Sequence, residues 1–230
     1  MVVLTQANST RVHRWTYAVE AEEVSVVVPD GCIDLIVVSC GSTGREALHV
    51  TDWDFAPRLV RLAAGSSLTG YRLRPGAIIN RAEFDIAGRD VSALETEIED
   101  LTWHDREISE IIDALCLSGN SVHGLARQQG VSERTLQRRF KDLSLPTPGF
   151  WRQLGRARRA VQALRCRVPL AEIALEYGYS DQAHMTREFV RWFGRTPVKI
   201  RRNPSAMKVL MQSGLGNWSE EIGLKSEGLT

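Results

Sequence analysis

Hydrophobic residues follow two rhythms along this chain. Toward the N-terminus they come as short β-branched runs, VSVVVP (24–29), IDLIVVS (33–39) and GAIIN (76–80), bounded by Gly, Pro and Asp. Such runs predict strands, and their punctuation predicts a small antiparallel barrel or sandwich. Pro29, Asp30 and Gly31 have the turn chemistry to close a hairpin. Over residues 92–117 the interval lengthens: Leu94, Ile98, Leu101, Ile108, Ile111, Ile112 and Leu115 recur at helical spacing and predict a helix bridging to the second half.

The second half is helical and repeats itself. VHGLARQQGVSERTLQRRF and PLAEIALEYGYSDQAHMTREF share one plan, in which Leu125, Ala126, Gly130 and Ser132 match Ile173, Ala174, Gly178 and Ser180, each 48 positions later. Leu136 and Phe140 then answer to Met185 and Phe189. Apolar residues at helical spacing form a buried stripe, the small Ala admits a crossing helix, and Gly ends the first helix in a left-handed conformation. Ser132 and Ser180 are placed to cap the next helix, and Pro169 to begin one. Each copy therefore predicts helix, tight turn, helix. Between the copies, residues 150–166 predict a third helix with Leu154, Ala157, Val161 and Leu164 on one face and Arg152, Arg156, Arg158, Arg159 and Arg165 mostly elsewhere. At ~1.5 Å per residue this strut spans about 25 Å. Major-groove faces recur every ~34 Å along a duplex, so the strut could present two reading helices to one side of DNA.

Charge sharpens this picture more than bulk composition does. The 230 residues, 43% hydrophobic and 25% charged, fit one large or two modest globular domains. The formal net charge is +1, yet residues 1–120 hold 10 Lys and Arg against 19 Asp and Glu, while residues 121–204 hold 17 against 6. An acidic half thus precedes a strongly basic one, and a basic segment suits a polyanion because phosphate contacts release condensed counterions. No run of ~20 apolar residues is present, and the first residues lack the basic-then-apolar plan of a secretory signal, so the expected location is cytoplasmic, away from membranes. Cys32, Cys40, Cys116 and Cys166 form neither a disulfide framework nor a C-x2-C pair, which predicts reduced, largely buried thiols.

If Leu136 and Phe140 are buried, Arg134, Gln137, Arg138 and Lys141 face outward; burying Met185 and Phe189 leaves Asp181, Gln182, His184, Thr186, Arg187 and Arg191 available. Arg can bind guanine bidentately and Gln can bind adenine. Lys141 suits a phosphate, Asp181 suits the positive end of a helix, and His184 is either a phosphate contact or simply exposed. Ser132 and Ser180 can also present helix N-terminal amides to phosphates.

Residues 121–202 resemble the DNA-binding domain of the AraC/XylS family of transcription regulators, most specifically through IALEYGYSDQAHMTREFVRWFGRTPVKIR with its Gly178, Tyr179, Ser180, Phe189, Phe193, Gly194, Thr196 and Pro197. Met185 stands where the family often has Phe, and Trp192 lies beside the usual Phe. The resemblance implies a sequence-specific DNA-binding regulator, not an enzyme, with Arg134, Gln137, Arg138, Gln182, Thr186 and Arg187 as base readers. It implies double-stranded operator DNA as the partner, with RNA polymerase, a small-molecule effector and a second copy of the chain as further ones, and no cofactor.

VPDGCIDLIVV and the later RLRPGAIIN are similar to a cupin-like sensor domain of some AraC-type regulators, which implies effector binding or dimerisation but no particular site. The expected fold is therefore α+β: a small cupin-like β-barrel or sandwich with a bridging helix over residues 1–118, an all-α domain with two helix-turn-helix motifs over 119–204, and a flexible tail over 205–230 in which MKVLM could form a short helix. His13, His49 and His104 are scattered without an H-x-H pair, which argues against a catalytic metal. Cys32, flanked by Asp30 and Asp34, reads as a buried structural thiol rather than a redox sensor. Trp15, Trp53 and Trp103 read as core packing before cavity lining. Attraction between the acidic and basic halves could hold an autoinhibited state. Two rivals remain: a β-barrel catalyst with a DNA-targeting appendage, and a binding module that antagonises another regulator.

Overall fold

A computed structural model of the chain describes residues 3–4, 11–41, 43–80, 94–117 and 119–218. Its first half is built on an antiparallel five-stranded sheet in the order β1 (Val3–Leu4), β2 (Val12–Ala18), β7 (Ser66–Leu73), β4 (Asp34–Cys40), β5 (Glu46–Val50). β3 (Glu23–Val27) and β6 (Arg58–Leu62) form a separate ribbon. Pairing of Trp15 with Gly70 explains a glycine in mid-strand, since a Cβ there would overlap the Trp15 ring. Among the described residues the edge strands β1 and β5 do not meet, so the sheet is open and the expected barrel is not closed. Leu35, Val37, Leu48, Tyr71 and Leu73 form its buried face, which Leu94 and Ile98 of α1 (Leu94–Leu101) complete.

The single bridging helix expected over residues 92–117 is two helices, its first positions lying outside the described residues. α1 stops where β9 (Thr102–Trp103) pairs with β8 (Ile78–Ile79). Asp105 then starts α2 (Arg106–Cys116) by accepting the Ile108 amide at 2.9 Å. An apolar spacing that stays in phase across a capping Asp cannot reveal such a break.

The helical half centres on α5 (Pro148–Ala163), 16 residues and about 24 Å long. α2 crosses it closely at Gly155, where a Cβ would lie 2.6 Å from Cys116 Sγ. Packed around α5 are α3 (Val122–Gln128) with α4 (Glu133–Asp142), and α6 (Leu170–Glu176) with α7 (Gln182–Phe193), followed by α8 (Pro197–Arg201) and α9 (Pro204–Leu210). Trp151, Leu154, Ala157 and Val161 are fully buried beneath them.

The two halves share this core. Trp53 meets Trp151 edge-on with ring centroids 5.3 Å apart, and Phe55 meets Phe150 at 5.0 Å. The described part of the expected tail is also integral: α9 buries Leu210, and the segment after it buries Leu215, against the same core. Backbone hydrogen bonds hold it, including Leu215 N to Asp30 O at 2.8 Å, and side-chain periodicity carries no trace of those. Residues 219–230 lie outside the described residues.

Candidate nucleic-acid interface

Each predicted turn forms as the sequence requires. Gly130 and Gly178 have φ of 66° and 72°, and the next residue's amide returns to the preceding helix, Val131 N to Ala126 O at 3.0 Å and Tyr179 N to Ala174 O at 2.8 Å. Ser132 caps α4 by accepting the Thr135 amide at 3.1 Å. Leu136 and Phe140 are fully buried, and Arg134, Gln137, Arg138 and Lys141 lie exposed on the other side.

The second unit corrects one expectation. Asp181, not Ser180, caps α7, accepting the His184 amide at 2.6 Å. That bond, helped by Arg187, holds the Asp181 carboxyl below its ordinary range. The apolar pair after the turn already sits 49 rather than 48 positions on, which places Asp181 opposite Ser132. Ser180 is exposed and turned instead toward His184 Nδ1, 3.0 Å from its hydroxyl. The His184 ring also packs edge-on against Tyr179, with centroids 5.3 Å apart.

Along α7, Met185, Phe189, Trp192 and Phe193 are buried while Gln182, Arg187 and Arg191 are exposed. Thr186 is half-buried and donates its hydroxyl to Gln182 O at 2.8 Å. Arg191 leans toward α5, donating to Gln153 Oε1 at 3.0 Å and lying 4.7 Å above the Trp192 ring.

Sequence patterning missed the residues that seat the two units. Arg156 of α5 donates to Gly178 O at 3.0 Å and stacks 4.2 Å over Tyr179, whose hydroxyl burial pushes to a higher pKa. Arg152 donates to Asn120 O at 2.9 Å. Arg139, on the flank of α4, pairs with Glu107 of α2. An Arg-rich helix reads as a solvated basic face until the carbonyls it meets are known.

A family model described as a helix-turn-helix domain matches residues 125–203. The probable transcription factor PqrA of Proteus vulgaris is 37% identical over 86 residues, covering 37% of this chain and 70% of that protein. The chain belongs to the AraC/XylS family of transcription regulators. The right origin-binding protein of Escherichia coli strain K12 is 35% identical over 85 residues, 36% of this chain but 29% of that one, so the likeness spans under a third of that relative. Among solved structures, apo ToxT K231A of Vibrio cholerae aligns over 86% of this chain and 99% of its own, with 8% identity and a TM-score of 0.44. The part of this family member that the model matches holds both turns and every residue of α4 and α7 described above. Among the described residues no group of three or more His, Cys, Asp or Glu is placed to hold a metal ion, and no helix is long and apolar enough to cross a membrane.

Proposed function

We propose that this chain is a cytoplasmic, sequence-specific DNA-binding regulator of transcription that sets α4 and α7 into successive major-groove faces of one duplex. The observation that carries this reading is the seating of two capped helices on a single 16-residue strut, each turning its apolar stripe inward and an Arg- and Gln-bearing face outward. Arg134, Gln137 and Arg138 on α4, with Gln182, Thr186 and Arg187 on α7, read base edges. Lys141 and Arg191 meet phosphates, Ser132 presents the amides at the start of α4 to the DNA backbone, and Ser180, displaced from the cap of α7 by Asp181, offers a phosphate only its own exposed hydroxyl. No catalytic step is assigned.

The sheet half supplies control, through an effector, a second copy of the chain, or both, and the output passes to RNA polymerase. An open cleft of about 290 Å³ at the seam between the two halves is where this reading places the effector. It is walled by Arg74 of the sheet half, Asp113 and Cys116 of α2, Arg159 of α5, and Leu215 and Trp218.

Selection of binding sites from random duplexes tests the function. The intact chain enriches a site with two elements one helical turn apart. Arg134→Ala and Arg187→Ala each cost about 1 to 3 kcal/mol and relax preference in one element. If footprint and affinity survive the double change, the assignment of reading helices is wrong.

A further inference from the structure

Away from the DNA-facing surface, where the sheet half, α5 and residues 212–217 meet, two buried or largely buried arginines, Arg72 and Arg158, each make several hydrogen bonds. Arg158, near the middle of α5, is buried. Among the described residues its hydrogen bonds all end in this segment: Nε to Leu215 O at 2.9 Å, and Nη2 to Gln212 O at 2.7 Å and Asn217 Oδ1 at 3.0 Å. Asn217 Nδ2 folds the segment back on itself by donating to Met211 O and Gln212 O, both at 3.1 Å.

The other side of the segment is held by the sheet half. Leu215 N donates to Asp30 O, and Arg72 of β7 donates to Ser213 O at 3.1 Å while pairing with Asp30 at 3.0 Å and Asp34 at 3.1 Å. The fit leaves no room for a side chain at two points. A Cβ on Gly214 would lie 2.8 Å from Asp30 O and 2.9 Å from Arg158 Nη2, and one on Gly31 would lie 2.8 Å from Leu215 Cβ.

We propose that residues 212–217 are a strap occupying a slot between Asp30–Gly31 of the sheet half and Arg158 of α5, and that this docking makes the sheet half and the DNA-facing half one cooperative body. The physical reason is the state of Arg158 without the strap. A guanidinium buried without acceptors is too costly to keep dry, so the seam opens to admit water. Beside the ring contacts of Trp53 and Phe55 with α5, the strap is therefore the polar link through which an event in the sheet half is felt by α5, and hence by α4 and α7. Leu215 also lines the cleft assigned above to an effector, so the proposal extends that reading to how occupancy would be transmitted.

The test uses the full chain without DNA, so its outcome is independent of whether the chain reads DNA. Gly214→Val ejects the strap and leaves the Arg158 guanidinium without acceptors, whereas Arg158→Met keeps the strap sequence but strips the Gln212 and Leu215 carbonyls of their donor, which releases the strap from its other side. Calorimetry and hydrogen exchange follow unfolding. The native chain melts in one transition; both variants melt in two, with exchange in β7 at least about tenfold faster than in α5. Arg158→Lys, which keeps a donor, lies between. Two transitions in the native chain, or a single transition in both variants that merely moves to lower temperature, would overturn the strap.

Discussion

Ser132 and Asp181 hold the same position in the two helix-turn-helix units, each accepting the amide three residues on, from Thr135 and His184 respectively. Ser132→Ala should cost about 1 kcal/mol of unfolding free energy. The Asp181 cap differs because it titrates. Its folded pKa is lowered from 3.8 by the His184 amide, so its stabilisation is present above 3.8 and is lost as pH falls through the lower folded value. The urea midpoint of Asp181→Ala should therefore fall below that of the native chain at neutral pH and converge with it in acid, whereas the Ser132→Ala deficit should show no such convergence.

Ser144 follows the end of α4 with φ of 57°, a left-handed conformation unusual for a residue with a Cβ. It is held there by the return of Leu145 N to Phe140 O at 2.9 Å, the bond that closes the helix. Ser144→Gly removes the steric cost at some loss of chain entropy and should raise stability by about 0.5 to 1 kcal/mol, read as a higher thermal midpoint. An unchanged or lower midpoint would show that the turn tolerates serine without strain.

The second half was legible because its architecture is written in side chains. Leu125, Leu136, Ile173 and Phe189 are buried as their spacing requires, and Gly130 and Gly178 take positive φ as their turns require. Even the misplaced cap was recorded, in the change of offset from 48 to 49. The sheet half was legible only in part. β-branched runs located β3 and β4, but β2, which contains His13, Arg14 and Trp15, lacks that signature, and no pattern reveals whether edges close. The strap was illegible because Arg158 binds mainly backbone carbonyls, which every residue possesses.

Arg72 lies between two carboxylates in a largely buried site, with side-chain exposure of 16% against 18% for Asp30 and 11% for Asp34. Removing only the cation strands both anions, so Arg72→Met should cost about 3 to 5 kcal/mol near pH 7. Burial already raises the Asp30 carboxyl despite the opposing pull of Arg72. Loss of the guanidinium raises it further, so the deficit should be largest at neutral pH and narrow as pH falls and Asp30 takes up a proton. Urea unfolding at several pH values measures it; a deficit that grows in acid would contradict the assignment.

Thiol chemistry separates the cysteines by position. Cys166 is exposed at the end of the α5 segment, whereas Cys32 and Cys116 are buried. Burial pushes the Cys116 thiol up to about 12, and it raises Cys32 as well, with Asp30 adding to the effect. Because the thiolate is the reactive form, alkylation at pH 8 should modify Cys166 rapidly and reach Cys32 and Cys116 only as fast as the protein opens. Rapid labelling of Cys32 in the folded chain, followed by mass spectrometry, would show the seam around Asp30 to be open.

Lys141 and Arg138 lie on the same exposed side of α4 but predict different losses. A phosphate contact contributes through counterion release and is blind to sequence, whereas a base contact discriminates among duplexes. Lys141→Ala should therefore weaken selected and unrelated duplexes by the same factor and reduce the slope of log affinity against log salt by about 0.9. Arg138→Ala should weaken the selected duplex more than unrelated ones, compressing the specificity ratio. Titration of both duplexes over a salt series measures both quantities at once. If the roles prove exchanged, Lys141 is a base reader and α4 enters the groove rotated from the orientation its buried Leu136 and Phe140 imply.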